Sequence, residues 1–202
     1  MVHGIGYNEK VEGQRFYKAV DNGKITKEYQ VWHNMISRCY NTQNIHARNY
    51  VYKNCTVCDE WLNYQVFAEW YNNNYYEINN EQMCLDKDIL FKGNKIYSPE
   101  TCVFVPQSIN KLFTKTNAKR GTLPIGVYEH KNKNYTHKRY RVQLQCGGKN
   151  IMLGQFNTPH EAFLMYKLNK ELAIEKQAEK YKDKIPHKLY EALINYRVDE
   201  YD

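Results

Sequence analysis

The segment 124–181 alternates apolar and polar residues in three short stretches and then changes to helical spacing. Alternation with a period of two is typical of a strand with one buried face, so each stretch predicts a β-strand. The three stretches are GVYEH (126–130), HKRYRVQLQC (137–146) and NIMLGQF (150–156). Thr158, Pro159 and Glu161 then form a capping sequence, which predicts that a helix begins at Thr158 and runs to Tyr181. This segment therefore predicts a three-stranded sheet packed on one helix.

The first 110 residues have a different pattern, in which Trp, Tyr and other apolar residues recur at helical spacing. That spacing predicts helices over 28–40 and 59–71. Short apolar pieces in 83–110 predict two strands or loops, followed by a helix from about Pro106.

A chain of 202 residues is long enough for one medium domain or two small ones. The stretch 111–123 is rich in Thr, Asn, Lys and Gly, a composition that predicts a basic linker. We therefore expect a first domain over 1–110 and a second domain over 124–202. A last helical pattern over 185–197 is expected to extend the second domain.

Composition excludes several classes of protein. No stretch approaches the ~18 consecutive apolar residues needed to span a bilayer, so we expect no membrane partner. The N-terminal sequence MVHGIGYNEKVEG has no apolar region typical of a secretory signal. The six cysteines do not follow the spacing of a small disulfide scaffold. We therefore expect reduced thiols and a cytoplasmic location.

The net charge of +7 is concentrated in one block of the chain. Residues 111–160 contain ten Lys and Arg residues and a single acid, Glu129, whereas the segments on both sides are slightly acidic. A basic run is often only a solvated face, but this block also carries the predicted strands. Basic charge on a folded segment indicates a nucleic-acid partner.

One face of the predicted sheet has the side chains that DNA recognition uses. Because side chains alternate along a strand, Arg139, Arg141, Gln143 and Gln145 share one face. Arg pairs with guanine, Gln pairs with adenine, and both reach phosphates. An ordinary solvated face mixes charges of both signs, whereas this one has almost no acid. The predicted DNA-binding residues are Lys119, Arg120, Tyr128, His130, Lys138, Arg139, Arg141, Gln143, Gln145 and Lys149.

The segment 124–175 resembles the ERF-type (APETALA-type) DNA-binding domain of plants, which also occurs in phage homing endonucleases. The likeness rests on Gly126-Val127, the basic second strand, Leu153-Gly154-x-Phe156 and Thr158-x-x-Glu161-Ala162. It implies three antiparallel strands packed on one helix, with the sheet entering the major groove of double-stranded DNA.

The segment 28–112 resembles the HNH (His-Me finger) nuclease-like proteins of phages. The matching stretches are Trp32-x-x-Met35-x-x-Arg38-Cys39-Tyr40, Cys58-Asp59-Glu60-Trp61, Phe67-x-x-Trp70, Leu85-Asp86-Lys87-Asp88, Tyr97-Ser98-Pro99-Glu100-x-Cys102 and Gln107-x-x-Asn110. The resemblance implies an α+β protein whose first domain is a ββα-metal finger with flanking helices. It also implies a phage protein that acts in the cytoplasm of a bacterial host cell.

The resemblance assigns roles to three residues. Asp86 matches the metal-binding Asp and Asn110 the metal-binding Asn, and oxygen ligands of this kind suit Mg²⁺ or another divalent cation. Lys87 stands where the family has its general-base His. A protonated Lys is a poor base, because its ordinary pKa is about 10.4. Asp88 is adjacent and is the other candidate, with His3, His33 and His46 as residues that folding could bring close.

Three outcomes are open for this site. It is a metal-dependent nicking nuclease with an altered base, a site that binds metal and DNA without cutting, or a degenerate finger kept as a DNA-binding scaffold. Asp86 as a turn aspartate and Asn110 as a helix-surface residue are the structural alternatives. The competing functions for the whole chain are an HNH-type endonuclease, a non-catalytic DNA-binding regulator, and a phage inhibitor of a host defence protein.

A second ligand set comes from the cysteines. Cys55-x-x-Cys58, Cys84 and Cys102 would supply the four thiolates of a zinc site. Only one pair has the close spacing of zinc ligands, however, and free cysteines are often small buried core residues. The sequence favours that structural role.

Overall fold

The structure, a computed structural model, describes residues 1–41, 52, 54–79, 81–114, 122–129 and 140–200. The chain divides into two compact units, 1–105 and 106–202. Both units combine helices with short strands, a mixture that is compatible with the predicted α+β class. No helix among the described residues is long and apolar enough to cross a membrane.

The first unit consists of short strands around two helices. In chain order its elements are β1 (Val20–Asp21), β2 (Lys24–Ile25), α1 (Lys27–Tyr40), β3 (Thr56–Val57), a 3₁₀ helix (Asp59–Leu62), α2 (Tyr64–Asn74), β4 (Met83–Asp86), β5 (Ile96–Tyr97) and β6 (Val103–Pro106). The strands pair as β1 with β2, β3 with β5, and β4 with β6. The helix predicted over 28–40 is therefore confirmed as α1.

Large aromatic side chains form the core of the first unit. Trp32, Trp61, Tyr64 and Phe67 are fully buried, and the Trp32 indole N–H donates a hydrogen bond of 2.7 Å to the carbonyl oxygen of Trp61. Burial of rings this large dominates the apolar stabilisation of a small unit. The tryptophans thus have the core role that their helical spacing predicts.

The helix predicted over 59–71 is divided at Asn63 into the 3₁₀ helix and α2, so the predicted range is helical but not one helix. The Asn63 Oδ1 accepts hydrogen bonds from the backbone N–H groups of Gln65 and Glu9, both at 3.1 Å, and its Nδ2 donates to the carbonyl oxygen of Glu9 at 2.9 Å. Asn63 therefore caps α2 while it fixes the N-terminal segment. Trp61 lies on the separate 3₁₀ helix before this cap.

The second unit contains a helix, a sheet and two further helices. Its elements are α3 (Gln107–Phe113), β7 (Val127–Glu129), β8 (Tyr140–Cys146), β9 (Lys149–Phe156), α4 (Pro159–Tyr181) and α5 (His187–Ile194). The last three strands form one antiparallel sheet in the order β7-β8-β9. The predicted three-stranded sheet is confirmed, and α5 is shorter than the helix predicted over 185–197.

Local signals in the sequence explain this sheet and the helix that covers it. Gly147 and Gly148 both have positive φ, as a tight two-residue turn between β8 and β9 requires. Thr158 and Glu161 form the predicted capping box, because each side chain bonds the other residue's backbone N–H. The helix α4 then packs Phe163 and Tyr166 against Val142 of the sheet.

Gly126, directly before β7, is the most constrained glycine of the second unit. Its φ is +76°, and a Cβ added there would lie 2.0 Å from the Tyr166 ring. No side chain fits in that space without displacing the ring. The close approach of backbone and ring explains why glycine stands at this position.

The boundary between the units differs from the predicted one. The helix α3 belongs to the second unit, where the Ser108 and Tyr181 hydroxyls lie 3.0 Å apart. It includes Asn110 and the first residues of the predicted linker over 111–123. Residues 115–121 of that linker lie outside the described residues.

Candidate nucleic-acid interface and predicted metal site

Asp86, the predicted metal ligand, ends β4 and holds the turn that follows. Its Oδ1 accepts hydrogen bonds from the backbone N–H groups of Asp88 at 2.9 Å and Ile89 at 2.8 Å. An aspartate that bonds the chain two and three residues ahead stabilises a turn. The structure thus shows Asp86 as a turn aspartate, which was the alternative to its predicted role as a metal ligand.

Burial, together with the neighbouring Asp88 carboxylate, raises the pKa of the Asp86 carboxyl to about 6, although the two backbone N–H groups oppose the shift. A raised pKa means that the charged form of Asp86 is destabilised in the folded protein. One of its oxygens is already occupied by the turn. Asp86 therefore offers a single remaining oxygen to any cation.

Lys87, at the predicted general-base position, is buried and ion-paired. It is 8% exposed, its Nζ lies 3.2 Å from the Asp88 Oδ2, and it stands 5.8 Å from the centre of the Tyr97 ring. Burial lowers the pKa of Lys87, but the Asp88 carboxylate and other nearby groups outweigh it, so the pKa lies above its ordinary value. Lys87 is therefore protonated at neutral pH and has no lone pair with which to accept a proton.

Of the candidate histidines, His3 and His33 belong to the first unit and contact each other. The His3 Nε2 lies 3.1 Å from the Ser37 hydroxyl, and the ring of His3 is 5.9 Å from that of His33. His33 in turn contacts Tyr29. Neither histidine bonds Asp86 or Asp88, so neither replaces Lys87 as a base; His46 lies outside the described residues.

The donor set around Asp86 does not fit a divalent cation. In the ranges that the structure describes, no group of three or more His, Cys, Asp or Glu side chains is arranged to hold a metal ion. The Lys87 ammonium already supplies positive charge to Asp88. Asn110 lies on α3 in the second unit, while Asp86 belongs to the first. We therefore derive no chemical step through Mg²⁺.

Two of the six cysteines, Cys55 and Cys102, are buried, and the other four are partly exposed. All six are free thiols, and burial raises the pKa of Cys39 and Cys102 to about 12 and that of Cys58 to about 11. Zinc binds the thiolate form, which a raised pKa disfavours. The raised pKa values therefore disfavour the thiolate form at Cys39, Cys58 and Cys102.

Asp86→Asn tests the turn role through the pH dependence of stability. Asn keeps an oxygen for both N–H groups and removes the charge. Because the folded pKa of about 6 exceeds the ordinary 3.8, Asp86 stabilises the fold when protonated, and this contribution is lost as the pH rises through about 6. We expect the variant to exceed the wild type by ~1–2 kcal/mol in unfolding free energy near neutral pH. Urea unfolding monitored by Trp fluorescence measures it, and an advantage that does not grow between pH 4 and pH 7 would contradict the assignment.

The sheet of the second unit presents a polar face opposite α4. We call the face formed by Tyr128, Arg141, Gln143 and Gln145 the outer face. Tyr128 pairs with Arg141 across β7 and β8, and Gln143 and Gln145 follow along β8 with exposed side chains. Val142 and Leu144, between them, are buried against the helix. The predicted alternation of β8 is confirmed.

The outer face has no internal partners for its polar groups. Within the described part of the chain, the side chains of Tyr128, Arg141, Gln143 and Gln145 make no hydrogen bond or ion pair. The Arg141 Nε is buried and unpaired among these residues. A buried donor without a partner is costly, so it is typical of a site completed by water or by a ligand.

Several predicted DNA-binding residues lie elsewhere or outside the described ranges. Lys149 is exposed, but in the strand register it stands opposite Cys146, beside the turn. Its side chain therefore belongs to the other face of the sheet, not to the outer face. Lys119, Arg120, His130, Lys138 and Arg139 lie outside the described residues. Of the ten basic residues in 111–160, the structure describes Lys111, Arg141 and Lys149.

The pairing of β8 with β9 places further residues beside those of the outer face, and the sequence prediction missed them. Gln155 stands opposite Arg141, Met152 opposite Gln143 and Asn150 opposite Gln145. A bulge between Val142 and Gln143 shifts the pairing by one residue, which alternation within a single strand cannot show.

Comparison with known proteins gave no match to a family model, to a curated protein or to a solved structure. The likeness to HNH and ERF-type proteins therefore stays a prediction from motifs.

Proposed function

We propose that this protein binds double-stranded DNA through the outer face of its three-stranded sheet. The observation that carries this proposal is the run of Tyr128, Arg141, Gln143 and Gln145 without partners among the described residues. On a face that served only solubility, we would expect acids paired with the arginine. The acid of this sheet, Glu129, is exposed and stands opposite Tyr140 in the register, not opposite Arg141.

The chemistry of the outer face suits base recognition. Arg141 has a planar guanidinium that bonds guanine at two atoms, and the glutamine carboxamides bond adenine in the same way. The major groove is wide enough for a two-stranded ribbon, which β8 and β9 supply at seven paired positions. Tyr128 is 42% exposed beside Arg141 and is available to a phosphate or a sugar.

We further propose that the first unit is a His-Me-finger-like scaffold that does not cut DNA. Its strands β4 and β6 pair with each other, and the helix α3, which belongs to the second unit, follows β6 directly in the chain. A ββα-metal finger has this strand–strand–helix order. Hydrolysis by such a finger needs a general base. The two candidate bases, Lys87 and Asp88, form an ion pair with each other, and the metal-ligand candidate Asp86 is used by the turn.

Binding and cutting are tested together with the full chain. We expect fluorescence anisotropy to show binding of a labelled duplex that weakens ~10- to 40-fold between about 50 and 200 mM salt, as two or three phosphate contacts predict. Supercoiled plasmid incubated with Mg²⁺ or Mn²⁺ should stay intact. Absence of duplex binding at the lower salt would overturn the proposed function, whereas nicking lost in Asp86→Ala would overturn only the non-cutting scaffold.

A further inference from the structure

A small cavity in the second unit lies between β7 and the part of β8 that follows their pairing. The register pairs β7 only with Tyr140–Val142. The cavity, of about 80 Å³, lies beside the rest of β8, between α3 and α4. Its walls include Lys111, Thr114, Gly126, Tyr128, Gln145 and Lys170.

Lys170 is the unusual residue of this cavity. It is 9% exposed, and it makes no hydrogen bond or ion pair with any described residue. Burial lowers its pKa to about 8, so the side chain is still mainly protonated at neutral pH. A buried ammonium without a counter-charge is strongly destabilising. The sequence places it on the buried stripe of α4, between Tyr166 and Ile174, where the helical pattern calls for an apolar residue.

A neighbouring cavity is also lined by lysines. It has about 480 Å³, shares Lys111, Thr114 and Gln145 with the first, and is also lined by Lys180. None of the described residues that line either cavity is an acid. Three lysines with no carboxylate between them create a local positive potential.

We propose that Lys170 and Lys111 bind a phosphate group in the smaller cavity. Its volume is well below the ~300–1,000 Å³ of pockets for drug-sized ligands, so it suits a single compact anion. The Thr114 hydroxyl is an additional donor for a phosphate oxygen. The group comes either from free phosphate or from a DNA backbone. The first source is independent of the proposed function, and the second rests on it.

Lys170→Met tests the site, because methionine keeps the length and removes the charge. The control, Lys176→Met, removes an exposed charge from the same helix without touching the cavity. Inorganic phosphate is titrated at constant ionic strength by calorimetry and by thermal unfolding. We expect phosphate to bind and stabilise the wild type and Lys176→Met, and Lys170→Met to bind it at least tenfold more weakly. Without phosphate, Lys170→Met should melt no lower than the wild type.

A second measurement, with duplex DNA, identifies the source of the phosphate group. If free phosphate does not bind, we expect Lys170→Met to reduce the slope of log affinity against log salt by about one for duplex DNA, while Lys176→Met leaves it unchanged. If Lys170→Met does not fold, Lys111→Met on α3 replaces it and should weaken the same signal at least threefold. Equal phosphate binding and equal salt slopes in the cavity variant and the control would overturn the site. Phosphate binding without duplex binding would keep the site and reject the proposed function.

Discussion

Replacing Gly126 by alanine is expected to lower the free energy of unfolding of the second unit by ~3 kcal/mol. The backbone there has a φ of +76°, which costs an L-residue ~1–2 kcal/mol. The added Cβ would also lie 2.0 Å from the Tyr166 ring, so the ring must leave its place against the sheet. Overpacking of this kind costs a further ~1–3 kcal/mol.

Gly148→Ala is the matched control for this effect. Gly148 has the same φ of +76°, but nothing lies within 4 Å of a Cβ added there. The Gly148→Ala variant should therefore lower the free energy of unfolding only by the cost of the backbone conformation, ~1–2 kcal/mol. The difference between the two variants isolates the contact with Tyr166.

The two units can be followed separately in one urea titration. All three tryptophans, Trp32, Trp61 and Trp70, lie in the first unit, so their fluorescence reports that unit. Far-UV circular dichroism additionally reports the long helix α4 of the second. We expect Gly126→Ala to shift the dichroism transition and to leave the fluorescence transition in place. A loss no larger than that of Gly148→Ala would contradict the proposed packing of Gly126 against Tyr166.

The sequence predicted the second unit well because its signals are local. Alternation defined β8, the Gly147–Gly148 pair defined its turn, and Thr158 with Glu161 defined the start of α4. Each of these signals is complete within a few neighbouring residues.

The first unit was predicted less accurately because its decisive contacts are between distant residues. The break at Asn63 depends on hydrogen bonds to Glu9, which is 54 positions away in the chain. The ion pair of Lys87 is with its own neighbour, yet its burial depends on how the unit folds around it. The spacing of apolar residues along the sequence predicts neither the hydrogen bonds of Asn63 nor the burial of Lys87.

The buried charge of Lys170 had a signal that the sequence analysis did not use. Phe163, Tyr166, Ile174 and Ala178 form a buried stripe along α4, and Lys170 stands within it at helical spacing. A lysine in an apolar stripe is equally typical of a side chain that reaches solvent with its end. Only the packing of α3 beside it distinguishes the two roles.

Arg141→Ala is expected to weaken binding of duplex DNA ~10- to 100-fold, because one bidentate contact to a base contributes ~1–3 kcal/mol. The slope of log affinity against log salt should change by no more than about one, since a single charge is removed. The fold should not suffer, because the substitution also removes a buried Nε that is unpaired among the described residues.

Two further variants separate this contact from general electrostatic attraction. Lys188→Ala removes one exposed positive charge from α5, outside the sheet, and should change the affinity less than threefold. Arg141→Lys keeps the charge and loses the planar fork, so it should recover only part of the affinity. An inhibitor of a host protein would bind its partner equally well with any of these changes.

The most direct test of DNA binding through the outer face is therefore the ratio of duplex affinities for Arg141→Ala and Lys188→Ala. It is measured by fluorescence anisotropy at one salt concentration, with melting temperatures to verify that both variants are folded. Binding through this face predicts that Arg141→Ala is at least tenfold weaker than Lys188→Ala. Equal affinities of the two folded variants would contradict it.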